Sequence, residues 1–350
     1  MTRSPRVYRA LPRRLRRATV LLAGCGDVGQ RIGARLAARG LRAIGTLRNP
    51  EHAGALRAQG IVPLRLDLDT RLPRLAAWCG RVIHLAPPPA EGGHDPRTRR
   101  LIAALSRPPG GGPSTVRSGG AGGRSGRRPF RHGGGDARSA PGPLAGARWV
   151  YISTTGVYGD CAGAQFDETR PVAPANPRAQ RRVAAEGLWR AAARRGARAS
   201  VLRVPGIYAH DRLPLARLRQ GLPALQAQDD VFTNHIHADD LARIGLAALW
   251  RGRPGRVVHA VDDSDLRMGE YFDLVADAAG LPRPPRVPAA ELAARVSPMM
   301  LSFMSESRRL RNRRLKQELR LRLRYPTVAH TLAEAFGPVL ESSPSSARPV

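Results

Sequence analysis

The sequence predicts an α/β fold, a Rossmann-type doubly wound parallel sheet with a smaller C-terminal lobe. Three observations carry that expectation. A glycine pattern sits between the first strand-like run and the first helix-like run. Apolar runs of strand length alternate with segments of helix length. The last third of the chain then changes composition, becoming rich in proline and arginine.

The first element is the apolar run Thr19–Ala23, which ends in Gly24-Cys25-Gly26-Asp27-Val28-Gly29. Ile32, Leu36 and Ala37 then recur at helical spacing up to Gly40, a residue suited to ending a helix. Leu41–Gly45, Ile61–Leu66, Val82–Ala86, Trp149–Ile152 and Ala199–Val204 read as strands two to six. Intervals long enough for crossover helices make those strands parallel. Residues 107–147 interrupt the rhythm. They are Gly, Arg, Ser and Pro with almost no large apolar side chain, too little to offset the entropy of ordering. They are expected to be a disordered insert. Helical spacing returns in Met268–Ala279, followed by the Pro-rich Leu281–Pro288, the stretch Ser297–Met304 and a basic helix-like run, Ser307–Leu319. The expected organisation is a basic disordered tail over 1–17, a core over 18–265, a C-terminal lobe over 266–336 and a disordered tail over 337–350.

Hydrophobic residues make up 42% of the 350, enough for a sizeable core. No run approaches the roughly 18 apolar residues of a membrane span. The formal net charge of +31 is distributed unevenly. Residues 1–17 hold seven Arg and no acid, 97–148 hold eleven Arg and one acid, and 308–324 hold nine cations and one acid. Lys316 is the sole lysine. Such arginine bias, with abundant Ala, Gly and Pro, points to a GC-rich coding sequence more than to a polyanionic partner. Nucleic acid is therefore not the expected partner, although a Gly/Arg tract can bind RNA. Cys25, Cys79 and Cys161 are widely spaced and odd in number, so neither a disulfide framework nor a metal site is expected. A reducing cytoplasm is the simplest compartment for them.

Gly24, Gly26 and Gly29 form a G-x-G-x-x-G between a strand and a helix, the context that gives the pattern meaning. In that setting the first glycine makes the tight turn. The second admits a pyrophosphate, and the third lets the helix pack on the strand. Asp27 and Val28 complete the loop, and the helix N-terminus offers free N–H groups and a positive dipole end. About 20 residues on, an NAD site would present a carboxylate to the ribose; here the chain reads Ile44-Gly45-Thr46-Leu47-Arg48. Arg48 suits a 2′-phosphate instead, and Thr46 can add a hydrogen bond. NADP is the expected cofactor, with NAD the alternative. Asp67 is placed to accept from the adenine amino group, or else to cap a helix. Leu85, Ala86 and Pro87 are expected to run beside the nicotinamide ribose.

Five motifs in order resemble the extended short-chain dehydrogenase/reductases, the NAD(P)-dependent epimerase/dehydratase group. They are the Gly24–Gly29 loop, Tyr151-Ile152-Ser153-Thr154-Thr155-Gly156-Val157-Tyr158-Gly159, the helix around Arg178–Glu186, Leu202-Arg203-Val204-Pro205-Gly206-Ile207-Tyr208, and Asn234-His235-Ile236-His237-Ala238-Asp239-Asp240-Leu241. The resemblance makes the C-terminal lobe a substrate lobe and adds Pro205 to the cofactor site. It implies that Thr154, flanked by Ser153 and Thr155, polarises a substrate carbonyl or alcohol. It also places the family's acid/base Tyr and Lys at Arg178 and Arg182, where this chain departs. An arginine has no usable proton near neutrality. Arg182 can still hold a ribose or a phosphate, or simply belong to a solvated face with Arg181, Arg190 and Arg194. Tyr158, Tyr208 and His237 are not expected to replace the missing acid, because packing and helix capping account for them. The implied function is an NADP-linked reductase, epimerase or dehydratase acting on a sugar nucleotide or small carbonyl compound. The alternative is a non-catalytic NADP(H) sensor or scaffold. A homodimer is left open.

Overall fold

The computed structural model describes residues 18–75, 80–106, 144–296, 300–301 and 304–337. Seven strands form the central sheet: β1 (Thr19–Ala23), β2 (Arg42–Leu47), β3 (Ile61–Arg65), β4 (Arg81–His84), β5 (Arg148–Thr154), β6 (Arg198–Val204) and β7 (Val257–His259). Their order across the sheet is 3-2-1-4-5-6-7, and every neighbouring pair is parallel. The order reverses between β1 and β4, and a crevice opens there at the strands' C-terminal ends.

Alternation along the strands explains why helices cover both faces. Val20 and Leu22 of β1 enter one apolar cluster, with Ile32 and Leu36 of α1 (Asp27–Ala37). Leu21 and Ala23 enter the other. There they meet Leu101 of α3 (Pro96–Ser106; the short α2 is Ala53–Ala58) and Trp189 of α4 (Pro177–Arg194). A parallel sheet buried on both faces must read as continuous apolar runs, which is how its strands stand out in the sequence.

The six expected strands are present; β1 has the expected ends, and those of the other five are shifted. β2 continues to Leu47, which takes Thr46 into the sheet. The chain leaves β4 after His84, and Leu85 N and Ala86 N both donate to Ala23 O, at 2.8 and 2.9 Å. The edge strand β7 was not expected. It is three residues long, too short for its period to register.

Residues 1–17 and 107–143 lie outside the described residues, so the expected tail and most of the expected insert cannot be compared. Residues 144–147 can. Leu144 is buried in the core beside Trp149, so the insert stops short of 147. Of the expected C-terminal tail, Gly337 alone is described.

The smaller lobe takes chain from both sides of residue 265. α5 (Leu215–Arg219), α7 (Met268–Ala278), α8 (Ala289–Arg295) and α10 (Val328–Phe336) share one apolar cluster through Leu218, Phe272, Leu292 and Leu332. The basic run expected as one helix is broken. Arg309–Leu310 pairs as a strand with Gln165–Phe166, and α9 covers only Arg313–Gln317. Leu315, Leu319, Leu321 and Leu323 then join α6 (Ala238–Arg251) in the apolar layer over the sheet. That spacing is an extended alternation after Gln317, not a helical one.

Candidate cofactor and substrate site

Gly24 adopts φ +91° directly after β1. A Cβ there would stand 2.5 Å from Ala86 N, so both the turn and the approach of the β4 connection require glycine. Gly24 N donates to Thr46 Oγ1 at 2.8 Å, and Cys25 N to Thr46 O at 3.1 Å. Thr46 is buried, and its hydroxyl holds the glycine turn against β2. A Cβ on Gly26 would meet nothing within 4 Å, whereas one on Gly29 would press on Gly24 O at 3.2 Å. Gly26 therefore borders open space and Gly29 borders protein. Gly26 is also the N-cap of α1 and supplies no side chain to the helix's first N–H groups. These groups remain for an external acceptor. Asp27 is engaged within the protein, pairing with Arg31 at 3.0 Å and Arg212 at 2.7 Å. Val28 is buried against the sheet.

The outer wall of the crevice is formed by the ends of β2, β3 and β4. Arg48 is exposed at the end of β2. Asp67 folds a turn instead of opening a helix, with its carboxylate accepting from Asp69 N at 2.9 Å. Arg97 then ties Asp69 to Pro87 O, at 2.7 and 3.0 Å. Leu85 and Ala86 lie against Ala23 and Gly24, as the hydrogen bonds above require.

Thr154 and Ser153 point to different places. Thr154 ends β5, lines a cavity and accepts from Gly156 N at 3.3 Å, so its hydroxyl opens the turn that follows. Ser153 faces α4 and donates to Glu186 Oε1 at 2.7 Å. Register puts Ser153 beside Arg203 on β6, and Arg203 holds Glu186 with two bonds of 3.1 and 2.8 Å. Arg203 also donates to the Tyr158 hydroxyl, which lies 2.6 Å from His259 Nε2. His259 Nδ1 is 3.0 Å from Arg311 O, so Nδ1 carries the proton and Nε2 accepts. Burial holds this imidazole neutral, with a pKa of about 3, and pushes Tyr158 up to about 12. The network is buried, and none of Ser153, Glu186 and Arg203 lines the cavity.

Arg181 and Arg182 do not belong to a solvated face, whereas Arg194 of the same helix is exposed. Arg182 donates to Ile152 O at 2.9 Å and Tyr151 Oη at 3.1 Å. Arg181 is buried and donates to Gly92 O at 2.9 Å. Arg178, one turn earlier, stands exposed at the mouth of the cavity. The pair of positions that the family gives to Tyr and Lys is thus split: one arginine reaches the cavity and the other braces β5.

The cavity, about 700 Å³, lies between the ends of β5 and β6 and the smaller lobe. Thr154 and Pro205 line it from the core. Arg217 and Glu306 line it from segments that no sequence spacing had marked, Tyr271 from the helical run Met268–Ala279 and Arg308 from the basic run Ser307–Leu319. His235 also lines it, its ring 4.2 Å from that of Tyr271, and burial lowers its pKa to about 3. Arg212 links cavity and loop, since it lines the cavity while pairing with Asp27. Among the described residues no helix is long and apolar enough to cross a membrane.

No protein-family model matches the sequence, and no curated protein matches it. Solved structures do. A conserved protein of unknown function from Silicibacter pomeroyi is 30% identical, with 91% of this chain and 98% of that one aligned at a TM-score of 0.72. A nucleoside-diphosphate-sugar epimerase from Pseudomonas aeruginosa is 15% identical over 91% and 96%, with a TM-score of 0.65. A human epimerase family protein crystallised with NADPH is 19% identical over 91% and 99%, with a TM-score of 0.59. The two distant structures share the fold; the first is similar along nearly its whole length. The chain has the fold of these epimerase structures, and its five motifs in order on a 3-2-1-4-5-6-7 sheet agree with the resemblance to the extended short-chain dehydrogenase/reductases.

Proposed function

We propose that this protein binds NADP(H) across the crevice and works on a small carbonyl compound or sugar nucleotide in the adjoining cavity, as a reductase, epimerase or dehydratase. One observation carries this reading: Arg212 lines the cavity and pairs with Asp27 of the glycine loop, so crevice and cavity are neighbours. The loop fits a dinucleotide. Gly26 borders open space, and the first N–H groups of α1 have no side-chain cap. Gly24, Gly26 and Gly29 with the start of α1 would hold the pyrophosphate. Arg48, with no carboxylate at the end of β2, would pair with a 2′-phosphate, which favours NADP over NAD. Leu85, Ala86, Pro87 and Pro205 would flank the nicotinamide half. A bound nicotinamide supplies or accepts a hydride.

Thr154 is the hydroxyl placed to orient a substrate oxygen. Ser153 would act only through the buried Glu186–Arg203 network, and Arg182 by bracing β5. Neither Arg178 nor Arg182 can exchange a proton near neutrality, so the proton would come from substrate or water. As a reductase the purified protein should consume NADPH with at least one compound of a broad carbonyl panel, as an epimerase or dehydratase it should convert at least one sugar nucleotide with no net change in the cofactor, and Thr154→Ala should lower either rate by about 10². Bound cofactor without turnover on any of them would sink the catalytic reading.

The two arginines also favour a second reading, an NADP(H) sensor without chemistry. It requires Thr154→Ala to leave the cellular phenotype unchanged while Gly26→Asp abolishes it. The reverse pattern would remove it.

A further inference from the structure

Arginine and acid are sorted to opposite edges of the central sheet. Each of the seven strands is followed, before the chain turns back along the sheet, by at least one acid at the crevice edge, from Asp27 after β1 to Asp262 after β7. The segments that enter β2 to β7 at the other edge, 38–42, 59–61, 80–81, 144–148, 195–198 and 252–257, hold eight arginines and no acid. Coding bias raises the number of arginines everywhere, but it does not empty one edge of carboxylates. Residues 1–17, which join this edge at Ala18, add seven arginines and no acid. Three arginines of the edge form a row. Register pairs Arg81 of β4 with Arg148 of β5, and Arg148 with Arg198 of β6. In-register neighbours point to the same face from strands about 4.8 Å apart, and like charges so placed repel. Burial and then the charges of Arg198 and Arg81 lower the pKa of Arg148. The protein answers the row only in part. Arg81 lies 5.0 Å from the Trp250 ring centre, and Arg148 donates to Trp250 O at 2.8 Å, near the end of α6. Of the eight arginines, Arg256 alone pairs with a carboxylate among the described residues, that of Glu318. Arg42, Arg198 and Arg253 stand exposed.

We propose that this edge, opposite the crevice and the cavity, is a docking surface for the phosphate backbone of a nucleic-acid double helix, with Arg148 and Arg198 at its centre and Arg42 and Arg253 beside them. Guanidinium groups bind phosphate through two parallel hydrogen bonds and keep their charge near neutrality. A protein or membrane partner would call for an apolar anchor among the charges. Among the described residues the exposed large apolar side chains are Val62 and Phe336, in β3 and α10 and outside the row. The bases of a single strand would call for exposed aromatic rings, whereas a double helix presents its phosphates outward. The row spans about 10 Å, over which one backbone offers about three phosphates. Contact through phosphates alone carries no sequence preference.

Fluorescence anisotropy of a labelled DNA duplex of about 20 base pairs with the full chain, between about 50 and 200 mM salt, tests this. The triple variant Arg42→Gln, Arg198→Gln and Arg253→Gln should weaken binding about tenfold or more, and should reduce the slope of log affinity against log salt by about one per arginine. A second triple, Arg65→Gln, Arg71→Gln and Arg219→Gln, removes the same charge from exposed positions elsewhere and should change affinity by less than about twofold. Urea midpoints establish that both triples fold. Should the first fail to, Arg198→Gln alone should still lower the slope by about one. Equal weakening in the two triples would mean that net charge alone is at work and would overturn the proposal. So would no binding to the duplex, tighter binding of a single strand of the same length, or displacement of the duplex by polyglutamate of equal charge.

Discussion

Gly24 shows how much of the site depends on one backbone angle. Its φ of +91° and the 2.5 Å approach of Ala86 N leave no room for a side chain. Gly24→Ala should cost about 2–3 kcal/mol, measured by urea unfolding, through strain and the displaced β4 connection. An unchanged midpoint would mean that the loop is not built as described. Ser153 and Thr154 are adjacent but should respond oppositely. Ser153→Ala removes a buried donor to Glu186 and should cost about 1–2 kcal/mol of stability. Thr154→Ala removes only a 3.3 Å turn bond and should barely move stability while affecting turnover. The sequence showed both hydroxyls but not which one faces the cavity. That depends on strand alternation and on Glu186 arriving from α4, 33 residues away. His237 is a similar case. The acids after it were expected to cap α6, yet His237 Nδ1 itself accepts from Asp239 N. Asp240 is buried and accepts from Arg324 N and Tyr325 N, both at 2.8 Å. A contact across 84 residues leaves no local trace.

At the scale of elements, the sheet carries buried imidazoles near its C-terminal edge and in the elements packed beyond it. Burial lowers His84, His235 and His259 to about 3 and His237 to about 4. The unfolded chain protonates these rings below about 6.5, and the native protein does not. Unfolding therefore takes up protons, and stability rises as pH climbs from about 4 to about 6.5. Asp262, raised by burial to about 7, opposes this. It is protonated in the native state and ionised in the unfolded state over much of the same window. Glu168 and Asp230, also raised by burial, add to its side. Four imidazoles against three carboxyl groups give a net rise. Urea midpoints should increase from pH 4.5 to pH 6.5, and His84→Gln should flatten the slope. A falling midpoint would contradict the burial of these rings. At this scale the sequence served well for long, two-sided strands and poorly for short pieces. β1 was legible to the residue because both its faces are buried. The Arg309–Leu310 strand was hidden inside a run whose charges resembled a solvated helix.

For the whole molecule, the crevice was legible and the cavity was not. The crevice is local, made by a strand, a glycine turn and a helix consecutive in the chain. The cavity is assembled from segments more than 100 residues apart, between Thr154 and Arg308. The smaller lobe likewise gathers Leu218 and Leu332 into one core, so a single cut at residue 265 does not follow its packing. What spacing could mark was Arg178, through the family's missing tyrosine. Arg217 and Glu306 had no such signal.

The central claim is that the glycine loop and Arg48 make an NADP site. Calorimetric titration with NADPH and NADH, in wild type and Arg48→Ala, tests it most directly. The account predicts that NADPH binds more tightly than NADH, and that Arg48→Ala weakens NADPH about tenfold or more while leaving NADH nearly unchanged. Absence of binding to either nucleotide would contradict the claim.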